Sequence, residues 1–307
     1  MPARSEILIK KAGLYTCIQD AGRMGYMDKG VARSGALDKQ SFYLANWLVG
    51  NDQGEALLET TFQGLSVQFS CDCLIAVTGG DLGAKLNGKE IKLFSAIPVK
   101  AKDELIFSKR ISGFRAYLAI SGGIEQNHAM ASRSAHSIFD LGIRQIKDDT
   151  KVEIGSSKKV TNRNAPPELV TTHTSHFTAR IVPGPDFDLF PRKFRDEFSK
   201  SSMTVSPDSN RMGYRLKWNP GKYKLPEGII SSGVIPGTIQ ITSSGQPIIL
   251  MHDGPTTGGY ARIANVISSD LDHIAQLAPG DTIRFKWIDF DEADRRVGEY
   301  QRNLLLY

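Results

Sequence analysis

The chain has 307 residues, 40% of them hydrophobic and 23% charged, with a formal net charge of +5. That size suits two domains of ordinary length, each able to bury a core, and no apolar run approaches the roughly 20 residues that cross a bilayer. Lys and Arg are spread along the chain without a basic block or interleaved aromatics, which argues against nucleic-acid binding and leaves a small anionic ligand or an acidic partner as the fit for the charge. Three cysteines and an N-terminal stretch without the apolar segment of a signal peptide set the expected compartment as the cytoplasm.

In chain order, residues 6–18 read as a strand pair around Gly13. A dense stretch follows, Gln19-Asp20-Ala21-Gly22-Arg23-Met24-Gly25-Tyr26. A guanidinium held on a turn suits a carboxylate or phosphate, because its planar fork donates two parallel hydrogen bonds; an Asp20 to Arg23 pair bracing the turn is the structural alternative. Leu37, Leu44, Ala45 and Leu48 repeat at helical spacing, which predicts a helix from about Asp38 to Val49 that Gly50 stops. Ser34 and Asp38 lie at its start, either as plain capping residues or as part of an anion site at the positive helix end.

From Ala56 to about Ile154, alternation and Gly or Asn-Gly punctuation predict an antiparallel barrel or sandwich. Cys71 and Cys73 fall on one side of a strand, without a second Cys or His pair to complete a metal site. Gly83 to Glu90 has phosphate-loop spacing up to Lys89 but ends in glutamate, where a Ser or Thr must reach magnesium, and it contains the hairpin signal Asn87-Gly88. Residues 156–176 lose periodicity and make the best linker, placing the domains at 1–170 and 171–307; His173 and His176 within it read as solvated. No metal site is expected.

The second half predicts a strand at 178–182 and a helix at 186–200 with Phe187, Phe190, Phe194 and Phe198 on one face, a core stripe. Arg211-Met212-Gly213-Tyr214 then repeats Arg23-Met24-Gly25-Tyr26, a hint of two related halves. The stretch Leu250 to Tyr260, LMHDGPTTGGY, joins Asp253, Thr256, Thr257, Gly258, Gly259 and Tyr260 after an apolar strand. Paired glycines admit close approach of backbone to a ligand, while hydroxyls and amides donate hydrogen bonds, so the stretch reads as a ligand cradle or a plain hairpin. A short helix, a last strand at TIRFKWI and a surface helix over 292–307 complete the chain. GxSxG, HExxH and paired CxxC motifs are absent from the sequence, as is a biotin-attachment sequence.

Taken together, Ile18 to Tyr26, Ser34-Gly35-Ala36-Leu37-Asp38, Ala45 to Asn51, Arg211 to Leu216 and Thr256 to Tyr260 resemble the biotin-dependent carboxyltransferase family, which includes the C component of the bacterial 5-oxoprolinase, allophanate hydrolase subunit 2 and the antagonist of a sporulation-kinase inhibitor. The resemblance implies a mainly β protein of two domains with cyclophilin-like antiparallel β-barrels and a few short helices. It also implies a sister subunit of the kinase-inhibitor or allophanate hydrolase subunit 1 type, and a third, lactam-utilisation subunit in the oxoprolinase setting. No cofactor is bound covalently on this reading; ATP or biotin is supplied through partner subunits. The chain departs from the family pattern at Pro255, where Gln is usual, and at Ala131-Ser132-Arg133-Ser134-Ala135 in place of Gly-Ser-Arg-Ser-Thr.

The expected activity is that of a subunit of an ATP-dependent amidohydrolase opening 5-oxoproline to L-glutamate. Half of a urea-type carboxyltransferase and a non-catalytic regulator of the sister subunit are the alternatives. Asp253 is the expected proton acceptor, and Arg23 or Arg211 the expected holder of a substrate carboxylate. Gln19, Asp20, Tyr26, Ser34, Asp38 and Tyr214 are the further expected substrate contacts, and the amides of Gly258 and Gly259 with the hydroxyls of Thr256 and Thr257 are expected to stabilise a developing oxyanion beside Tyr260.

Overall fold

A computed structural model describes residues 5–137, 146–156 and 163–304; residues 157–162 of the expected linker lie outside the described residues. The chain forms two compact units, one built from the residues up to Arg23 with Ser34–His173, the other from Met24–Arg33 and the chain from Thr174 onward.

In the first unit two antiparallel sheets enclose a core. One runs in the order Thr150–Glu153, Glu6–Ala12, Leu65–Phe69, Glu104–Phe107, Ala84–Leu86, Lys89–Glu90; the other in the order Tyr15–Gln19, Leu57–Thr61, Ser112–Ile120, Cys73–Asp81, Ala96–Val99. The two strands around Gly13 do not pair with each other, as residues 6–18 suggested: Glu6–Ala12 pairs with Leu65–Phe69, and Tyr15–Gln19 with Leu57–Thr61. Gly13 makes the change of sheet, with φ of 71° and backbone so close that an added Cβ would lie 2.5 Å from the Gln63 carbonyl oxygen.

The long strand Ser112–Ile120 shows how the period of two builds layers. Ala116, Leu118 and Ile120 face the core between the sheets, with Ile9, Val67 and Phe107 from the other sheet. Tyr117 and Ala119 point the other way, against helix α1 (Lys39–Val49), which buries Phe42, Leu44, Ala45 and Leu48 there. The Asn87-Gly88 pair turns a tight hairpin with both φ values positive, so the phosphate-like spacing at 83–90 belongs to a turn. Cys71 and Cys73 pack against the core, and burial beside Cys71 pushes the Cys73 thiol up to about 12.

The second unit is a closed barrel of seven strands, in the order His176–Pro183, Ala261–Val266, Thr238–Ile241, Pro247–Leu250, Gly213–Lys217, Met203–Val205, Thr282–Trp287. Only the closure of Thr282–Trp287 on His176–Pro183 is parallel. The phenylalanine stripe is shorter than expected, because Pro191 starts a new helix, α2 (Arg192–Lys200), after a short turn at Phe187–Leu189. Phe190, Phe194 and Phe198 are buried, and Phe198 stacks on Phe285 of the last strand at 4.9 Å. Helices α3 (Ser268–Ala275) and α4 (Phe290–Leu304) complete the unit. The described fold is thus mainly β with four α-helices, and among the described residues no helix is long and apolar enough to cross a membrane.

Candidate functional site

Asp20 organises the first cluster. Its Oδ1 accepts from the Gly22 amide and the Ser132 hydroxyl, both at 2.8 Å, and from the Ser134 hydroxyl; its Oδ2 accepts from the Arg133 amide. One carboxylate therefore welds the turn after Tyr15–Gln19 to the loop at 132–134, more than 110 residues along the chain. Arg23 does not pair with Asp20. Its buried guanidinium donates to the carbonyls of Ala129 and Ser134 and so braces the loop. Gln19 is fully buried, and its amide nitrogen donates to the Ala135 carbonyl at 3.0 Å, leaving Oε1 buried without a protein partner among the described residues.

The segment 34–38 packs onto this turn. Ser34 adopts a left-handed φ of 53°, and Gly35 lies so close to Gly22 that a Cβ would come within 2.9 Å of its Cα. The next three amides are each taken inside the unit: Ala36 by the Asp20 carbonyl, Leu37 by Glu59 Oε2 and Asp38 by the Tyr117 hydroxyl. Asp38 itself caps α1, accepting from the Ser41 amide and hydroxyl at 2.9 and 2.7 Å. The capping role that the sequence offered for this helix end is observed at Asp38.

Beneath the segment, Glu59 lies 3.5 Å from Arg115, both fully buried, and burial beside Glu59 and Asp38 raises the Tyr117 hydroxyl well above its ordinary range. Glu59, Arg115 and Tyr117 were not legible as site residues. They sit on strands whose apolar alternation hides the inward polar positions.

In the second unit Arg211 and Asp253 are joined to each other. Arg211 Nε donates to Asp253 Oδ2 at 2.9 Å and Nη2 to Oδ1 at 3.1 Å, both side chains being buried, and the Asp253 amide donates to the Arg211 carbonyl. The expected proton acceptor and one of the expected carboxylate holders thus face each other as a bidentate pair. The pair locks the start of the LMHDGPTTGGY loop to the turn before Gly213–Lys217. Gly254 is needed at that junction, where a Cβ would meet the Met212 and Met251 carbonyls at 2.8 and 2.9 Å. Tyr214 is a core residue, its hydroxyl shared between the carbonyls of Ala275 and Leu277.

Beyond Pro255, which is exposed, the loop becomes a flap: Thr257–Gly258 pairs with Ser232–Gly233, and the carbonyls of Thr256 and Gly259 accept from the amides of Val234 and Ile229. Gln240 holds the far end through the Tyr260 carbonyl, and Gly258 leaves it room, since a Cβ there would lie 2.4 Å from the Gln240 amide nitrogen. Arg262 braces the partner strand, donating to Asp186 at 2.7 Å and to the Gly233 carbonyl at 3.0 Å, and it holds the Asp186 carboxyl below its ordinary range. The Thr256 and Thr257 hydroxyls and the Tyr260 phenol have no protein partner among the described residues, and Tyr260 is 42% exposed.

Tyr26 is half-buried before a short turn, with Lys29 Nζ 5.3 Å from its ring. The two Arg-Met-Gly-Tyr stretches thus differ in structure: the second opens a barrel strand, whereas the first leads into a 3-10 turn. A cleft of about 360 Å³ beside His176, Thr178 and Arg284 and one of about 180 Å³ beside Asp81, Lys85 and Lys109 hold none of the expected site residues. Polar clustering, not cavity size, therefore defines the candidate sites. No group of three or more His, Cys, Asp or Glu side chains poised for a metal is found among the described residues.

Over residues 29–287 the chain matches the family described as carboxyltransferase domain, subdomain A and B, and it belongs to that family. It is 37% identical to the C component of the Escherichia coli 5-oxoprolinase over 96% of this chain and 95% of that protein, and 33% identical to the urea amidolyase of Saccharomyces cerevisiae, of which it spans 17%. Among solved structures it is similar to the Kluyveromyces lactis urea amidolyase with a TM-score of 0.91 at 29% identity, covering 99% of this chain and 20% of that one.

Proposed function

We propose that the chain is a subunit of an ATP-dependent amidohydrolase complex that opens the lactam of 5-oxoproline to L-glutamate. The observation that carries this reading is the match to the Escherichia coli 5-oxoprolinase component along 95% of that protein's length, against 17% for the urea amidolyase of Saccharomyces cerevisiae. A sister subunit of the kinase-inhibitor type completes the site and a lactam-utilisation subunit joins it; ATP is handled by these partners, in the cytoplasm. Opening an amide builds negative charge on its oxygen, and the flap supplies donors for it: the unpartnered hydroxyls of Thr256 and Thr257, with the amide of Gly259 beside them. Arg211 and Asp253 hold the base of the flap in place, and Tyr260 borders it.

A second reading, half of a urea-type carboxyltransferase served by biotin on a partner, is favoured by the TM-score of 0.91 to the urea amidolyase. Purifying the chain with its co-expressed sister and lactam-utilisation subunits and following ATP hydrolysis separates the readings. Hydrolysis that needs both 5-oxoproline and this chain supports the first. Carboxyl transfer from biotin to urea supports the second, and a tight, inactive complex with the sister protein supports a regulator.

A further inference from the structure

Of the arginines that the sequence singles out, Arg211 donates through Nε and Nη2 to Asp253, and Arg23 through Nε and Nη2 to the carbonyls of Ala129 and Ser134. Arg133 is different. It sits between Ser132 and Ser134 on the loop that Asp20 grips, with its own amide bonded to Asp20 Oδ2 at 2.5 Å, so the base of its side chain is fixed. The guanidinium beyond is sparsely used. Its one protein contact among the described residues runs from Nη1 to Glu55 Oε2 at 3.4 Å, longer than the 2.7 to 2.9 Å of a charge-assisted hydrogen bond, and the side chain is 18% exposed. Its Nε is buried without a hydrogen-bond partner. A buried cationic donor left unmade is costly, and the Nε and Nη2 edge of an arginine matches the two oxygens of a carboxylate.

We propose that Arg133 is the anion anchor of the first unit, taking a small carboxylate or carbonate-type group on its Nε and Nη2 edge while Glu55 stays on Nη1. If the reading of the function above holds, that group is the carboxylate of 5-oxoproline; in a carboxyl-transfer setting it is the one-carbon carboxyl unit. The loop gripped by Asp20 positions the fork, and a neutral, urea-like molecule gives it nothing to bind.

The test uses the full chain and the reconstituted complex. In a proton–nitrogen correlation spectrum of the full chain, the Arg133 Nε–H signal, assigned by its loss in Arg133→Lys, shifts on titration with 5-oxoproline or bicarbonate and stays put with urea. In the complex, Arg133→Met raises KM for 5-oxoproline by about 10- to 100-fold, the loss expected for one charged hydrogen-bonding group, with kcat nearly unchanged, and Arg133→Lys recovers part of it. A signal that moves with bicarbonate in a chain whose complex ignores 5-oxoproline keeps the anchor and removes the oxoprolinase reading. An Nε–H signal unmoved by both anions, or a KM within twofold of wild type in Arg133→Met, overturns the anchor whatever the complex does.

Discussion

Asp253 shows how partner choice changes a residue's meaning. A carboxylate in a glycine-rich loop invites the role of proton acceptor, yet here it forms a bidentate, fully buried pair with Arg211, 42 residues away. Removing one member of such a pair strands the other charge, so Asp253→Asn is predicted to destabilise the chain by about 3 to 5 kcal/mol in urea denaturation. An unchanged midpoint with activity lost would return Asp253 to the catalytic role. Asp186 gives a pH signature: Arg262 holds its carboxyl below the ordinary value of 3.8, so the pair contributes its full stability above that value and loses it as pH falls through the depressed folded value. Asp186→Asn is predicted to flatten the loss of stability on that acid limb, and a limb as steep as in wild type would contradict the assignment. Residue types at both positions were readable in the sequence, but their partners, 42 and 76 residues distant, were not.

At the scale of elements, what could be read was whatever local chemistry decides. Helix α1 was expected from Asp38 to Val49 and runs from Lys39 to Val49, because its cap, its apolar repeat and the left-handed Gly50 all lie within the segment. The Asn87-Gly88 hairpin was legible for the same reason. By contrast, the strands flanking Gly13 read as partners and join different sheets, a choice made by residues 57–69. The flap was half legible: its glycines and threonines marked it, while its pairing with Ser232–Gly233 was hidden in a stretch without periodicity. Two substitutions test these elements. Asp38→Ala removes the acceptor for the Ser41 amide and is predicted to cost about 1 kcal/mol or more, read from the denaturation midpoint. Gly254→Ala forces a Cβ against two carbonyls and is predicted to cost about 1 to 3 kcal/mol and to weaken turnover in the complex; a variant as stable and active as wild type would show that the base of the flap yields freely.

At the scale of the whole molecule, each unit carries one polar cluster on an apolar scaffold. The mainly β class was expected from alternation and from the family resemblance, the closed barrel of the second unit from the resemblance alone, and the family match confirms membership. Residues 24–33, which cluster with the second unit although they lie early in the chain, could not be assigned from sequence, since an irregular segment carries no pattern that says where it packs. The central claim is that this chain serves a complex acting on a cyclic amide. The direct measurement is 5-oxoproline-dependent ATP hydrolysis by the complex purified with and without this chain. Turnover is expected only when the chain is present, with a stoichiometric rise in glutamate. Equal turnover in its absence, or none with every subunit present, would contradict it.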